Sequence, residues 1–111
     1  MELQTKFPQN SFNEVMDFII KFKGKYAQAL EDTFLFGYCY YFAKMLEERF
    51  NGEIYYLPIA NHFITKIDNF FYDIKGLIIS MEEKPYSWKD YQCLDELEVA
   101  RIKKYCILKE D

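Results

Sequence analysis

Two β-prone runs separated by two residues constrain this chain more than anything else in it. His62 to Ile67 and Phe70 to Ile74 flank Asp68-Asn69, a pair that tolerates left-handed backbone and suits a two-residue hairpin turn. With 68 and 69 in the turn, Ile67 faces Phe70, Asp73 lies opposite Ile64 and Lys75 lies opposite His62. Side chains alternate along a strand, so one face carries Phe63, Thr65, Ile67, Phe70, Tyr72 and Ile74, the better core surface. His62, Ile64, Lys66, Phe71, Asp73 and Lys75 share the other. His62 and Asp73 are then diagonal neighbours, about 7–8 Å apart at the backbone, within reach of an imidazole-carboxylate contact.

The rest of the chain supplies helices to cover that sheet. Ser11 and Glu14 form a capping box, predicting a helix from Ser11 to about Gly24 with Phe12, Val15, Met16, Ile19, Ile20 and Phe22 on its apolar stripe. Tyr26 to Thr33 reads as a second helical piece. Beyond Gly37, the residues Cys39, Phe42, Ala43, Leu46 and Phe50 repeat on one helical face, and Asn51-Gly52 is a helix stop. Ile54 to Leu57 reads as a strand closed by Pro58, Leu77 to Ser80 as a further short strand, and Pro85 to Trp88 as a turn. Leu94, Leu97, Ile102, Tyr105 and Cys106 mark a C-terminal helix.

Strands that follow one another without intervening helices indicate an α+β fold: an antiparallel sheet of three to four strands packed with three helices, residues 1–111 as one domain. Tyr 10, Phe 11 and Trp 1 make a fifth of the 111 residues aromatic, enough apolar surface for a core without disulfides or metals.

Charge narrows the partners. A net charge of −4 offers no field for a phosphate backbone, and Lys21, Lys23 and Lys25 read as a solvated helix end, so no nucleic-acid partner is expected. Three cysteines at irregular spacing and no leader pattern fit a reducing, cytoplasmic setting. The longest apolar run, Phe34 to Ala43, falls well short of the ~20 residues that span a bilayer, so no membrane partner is expected either. His62 is the sole histidine, which excludes motifs needing two or three; no metal or cofactor is expected. Cys93 and Cys106 read as core or surface thiols without a role.

A cysteine in the first turn of a helix meets unpaired amide donors and the positive end of the dipole, which favour thiolate and can hold an oxyanion. An imidazole beside the sulfur would take its proton, and a carboxylate behind the imidazole would fix its tautomer. Cys39, His62 and Asp73 are the residues of this chain that fit those roles.

The run Gly37-Tyr38-Cys39-Tyr40-Tyr41-Phe42-Ala43, then Asn61-His62-Phe63, then Phe71-Tyr72-Asp73-Ile74-Lys75-Gly76, resembles the core of the papain-like cysteine superfamily in its transglutaminase-like arrangement. It is similar also to arylamine N-acetyltransferases and to small phage-type proteins with a cysteine, histidine and aspartate in one compact domain. The resemblance covers roughly residues 36 to 76. It implies a nucleophile at Cys39, a general base and then acid at His62, and an orienting group at Asp73. Thr33 stands where the papain type has its oxyanion glutamine, six residues before the cysteine.

The expected function is a thiol-dependent hydrolase or acyl transferase acting on an amide or isopeptide bond of a protein or peptide. The alternative is a small acidic binding protein on a degenerate version of the fold, for example a phage-encoded inhibitor of a host defence enzyme of the anti-CRISPR kind. It would act through surface carboxylates such as Glu47, Glu48, Glu82 and Glu83. A third reading uses the aromatic surplus as a homo-oligomer interface.

Overall fold

A computed structural model of the chain describes residues 8–35, 38–93 and 96–104. The architecture is α+β: helices packed on one antiparallel sheet of five strands. Helix α1 spans Pro8–Lys23. It begins three residues before the capping-box position, because proline is suited to a first helical turn, where its missing N–H is not needed. Val15 and Ile19 of α1 are buried, whereas Ile20, predicted for the same stripe, is 60% exposed. Gly24, at φ +50°, opens a 3-10 turn over Gly24–Tyr26 that leads into α2, Ala27–Leu35.

Helix α3, Cys39–Phe50, buries Cys39, Phe42, Ala43 and Leu46 as its spacing predicts. Asn51 ends it in the left-handed conformation (φ 56°, ψ 44°), and the Gly52 N–H closes back on the Glu47 carbonyl at 3.1 Å. Gly52 is also required by space. A Cβ there would stand 2.8 Å from both Ile67 Cγ1 and the Lys66 carbonyl oxygen.

The strands are β1 (Glu53–Leu57), β2 (His62–Ile67), β3 (Phe70–Asp73), β4 (Gly76–Leu77) and β5 (Tyr86–Ser87), ordered β4-β3-β2-β1-β5. Asp68 and Asn69 both have positive φ, 50° and 75°, as a primed two-residue turn demands. The ladder pairs Ile67 with Phe70, Lys66 with Phe71 and Thr65 with Tyr72, the predicted register. Several stretches differ from the sequence reading. The strand expected over Leu77 to Ser80 is confined to Gly76–Leu77. Tyr86–Ser87, read as a turn, adds a fifth strand on the free edge of β1, and Trp88–Tyr91 forms a short helix, α4. Helix α5, Glu96–Ile102, buries Val99 and Ile102 but leaves Leu97 85% exposed, so Leu97 is not on its core face. The positions Leu94, Tyr105 and Cys106 lie outside the described residues, as does Gly37.

The helices cover the sheet face carrying Tyr56, Phe63, Thr65, Ile67 and Tyr72. Two apolar clusters lie there. One joins Cys39 and Ala43 of α3 to Ile54, Tyr56, Phe63 and Trp88; the other joins Phe42 and Leu46 to Val15, Ile19, Tyr72 and Ile74. The Thr65 hydroxyl, fully buried, donates to the Ala43 carbonyl at 2.9 Å and pins α3 to the central strand. Each fully buried large side chain of this core contributes roughly 1.5–3 kcal/mol. On the opposite face Tyr55 and Phe71 meet edge to face at 5.1 Å, with the Lys66 ammonium near both rings.

Candidate active site

Cys39 is the first residue of α3. Tyr38 precedes it with non-helical dihedrals, and the helical ladder begins when the Tyr41 N–H donates to the Tyr38 carbonyl at 3.0 Å. The N–H groups of Cys39 and Tyr40 therefore lie ahead of the ladder, at the positive end of the dipole. The cysteine itself is 4% exposed, held against the aromatic cluster of Tyr56, Phe63 and Trp88.

His62 opens β2 directly after Asn61, a left-handed residue at φ 55° whose side-chain carbonyl accepts a hydrogen bond from the Tyr56 hydroxyl. Asp73 ends β3. As the register requires, the two lie on the same face, with His62 Nε2 3.1 Å from Asp73 Oδ2. The other carboxylate oxygen accepts the Lys75 N–H at 2.9 Å, which fixes the carboxylate plane. With Nε2 committed to Asp73, Nδ1 is the ring nitrogen left for Cys39, whose side chain also acts on the His62 charge. Burial pushes the His62 pKa down. Hydrogen bonds to Asp73 and Cys39, with the charges of both, outweigh it and bring the pKa up to about 9. Cys39, His62 and Asp73, from three separate elements, thus come together.

A cleft of about 450 Å³ opens on the dyad from the outer face of the sheet. His62 and Asp73 form part of its lining, with Leu57 and Ile78 beside them. Its wall is the segment that follows β4, tied down by Glu83, whose two carboxylate oxygens accept the Ile59 and Ala60 N–H groups at 2.9 and 2.8 Å. Sequence reasoning assigned Glu83 to the charged surface and missed this clamp. No periodicity marks the 78–85 stretch, and its partners are backbone amides in a distant loop.

The other singled-out residues stay apart from this site. Lys21 pairs with Asp17 at 3.1 Å, Lys23 with Glu31 at 2.7 Å, and Lys25 rests over the Tyr26 ring. Cys93 is exposed, its sulfur 3.8 Å from the Lys89 carbonyl. Among the described residues, no three histidine, cysteine or acidic side chains converge as a metal site.

A family model described as phage YunG-like protein matches residues 12–107, which include all three site residues. The chain belongs to that family. No curated protein and no solved structure matches it. Among its described residues, no helix is long and apolar enough to cross a membrane.

Proposed function

We propose that this YunG-like chain is a thiol-dependent hydrolase or acyl transferase acting on an amide or isopeptide bond, on a core related to the papain-like cysteine enzymes. The observation that carries the reading is the shared position of His62, with Asp73 3.1 Å from Nε2 and Cys39 also acting on the ring. Nε2–H donates to Asp73 and Nδ1 carries the proton taken from the thiol, the charged ring that a pKa of about 9 favours at neutral pH. The thiolate attacks the carbonyl, and the resulting oxyanion is received by the N–H groups at the start of α3. Thr33, whose hydroxyl is committed to the Ala29 carbonyl at 2.9 Å, has no part in that step. His62 then returns its proton to the departing amine, and water or a second amine releases the acyl group from Cys39.

Alkylation by iodoacetamide at pH 7, followed at the level of the modified peptide so that exposed Cys93 is counted separately, tests the assignment. Cys39 is expected to react at least tenfold faster in the wild-type chain than in His62→Ala, and Cys93 equally in both. Equal rates at Cys39 would sink the triad. A second reading is favoured by one observation: the cleft reaches His62 and Asp73 without Cys39 in its lining. A binding protein that retains the dyad as architecture would tolerate Cys39→Ala in every functional assay.

A further inference from the structure

The cleft over His62 and Asp73 has the size and composition of a ligand site, about 450 Å³ with apolar walls and a few polar groups. Leu57, Ile59, Ile78 and Met81 supply the apolar wall. Ile59 of that wall is 87% exposed, and Ile79, next in the chain to the lining residue Ile78, is 90% exposed, so both are apolar surface without a cover.

Three carboxylates line the same space, and two of them are spent. Asp73 holds His62 and the Lys75 N–H; Glu83 holds the N–H groups of Ile59 and Ala60. Glu82 lines the cleft and, among the described residues, makes no hydrogen bond or ion pair. An aliphatic wall ending in one unspent anion is complementary to an aliphatic chain ending in a cation. We infer that the cleft binds a lysine side chain of a protein or peptide partner, its methylenes against Leu57, Ile59, Ile78 and Met81 and its ammonium at Glu82. The chain's net charge of −4 favours approach of such a basic segment. This inference stands apart from the chemistry proposed for Cys39, because it concerns a face that Cys39 does not line.

The test titrates Nα-acetyl-lysine amide, and its uncharged analogue Nα-acetyl-norleucine amide, into the full chain while backbone amide shifts are followed by NMR. The lysine probe is expected to move the amides of Ile59, Ala60, Ile78 and Met81 and to bind about two- to fivefold more tightly than the norleucine probe, the range of one exposed ion pair. Glu82→Gln is expected to bring the lysine probe down to the norleucine level, and Glu48→Gln on α3 to change nothing. Equal affinity for the two probes, indifference to Glu82→Gln, or shifts confined to another surface would each overturn the inference. Repeating the titration with Cys39→Ala separates the two ideas, since binding is expected to survive there whether or not the thiol is reactive.

Discussion

Charging an imidazole away from water is unfavourable unless its surroundings repay the lost hydration, and at His62 they do. With its pKa raised from 6.5 to about 9, the folded chain holds the proton more tightly than the unfolded chain does. The sign follows from linkage: this stabilisation is fully present below pH 6.5 and disappears as the pH rises through 9. It is on the order of 3 kcal/mol. Urea unfolding at pH 6.5 and pH 9.5 is expected to show the loss as a lower midpoint at the higher pH. Asp73→Asn, which removes the negative charge facing Nε2, is expected to shrink the difference between the two pH values. A difference of the same size in Asp73→Asn would show that Asp73 does not hold the proton.

At the scale of elements, Gly52 ties the end of α3 to the last residues of β2. Because the crowding there includes a backbone carbonyl, Gly52→Ala cannot be relieved by a rotamer change alone. The cost is expected to be about 1–3 kcal/mol, read from chemical denaturation. The elements legible in the sequence were those with strong local signals. The Asp68-Asn69 turn set the register that brings Asp73 to His62, the three-and-four spacing from Cys39 to Leu46 marked the buried face of α3, and Asn51 marked its end. What escaped has tertiary causes. Tyr86–Ser87 is too short for an alternating pattern and becomes a strand only because β1 offers it an edge. Leu97 fits a helical stripe by spacing, yet α5 turns Val99 inward in its place, beside the expected Ile102. The meeting of Cys39 with His62 depends on how α3 lies on the sheet, which the resemblance, rather than any spacing, suggested.

For the molecule as a whole, α3 and β2 each enter both apolar clusters: adjacent residues Phe42 and Ala43 go to different ones, as do Phe63 and Ile67. Damage to α3 is therefore felt throughout the core. Leu46→Ala, at a fully buried position, is expected to cost about 2–5 kcal/mol. Leu97→Ala, at an 85% exposed one, is expected to stay within about 0.5 kcal/mol. Both are measured by the same denaturation. The hairpin between His62 and Asp73 has a different vulnerability. Substitutions at Asp68 or Asn69 leave the strand count intact, whereas inserting or deleting one codon there, with the reading frame preserved, would reverse which side of β3 every later residue occupies. The carboxylate would then point into the hydrocarbon interior and the histidine would lose its counter-ion. Length at this turn is thus heritable information of a kind no single residue carries: family members that keep the dyad should differ between these two positions by whole pairs of residues or not at all.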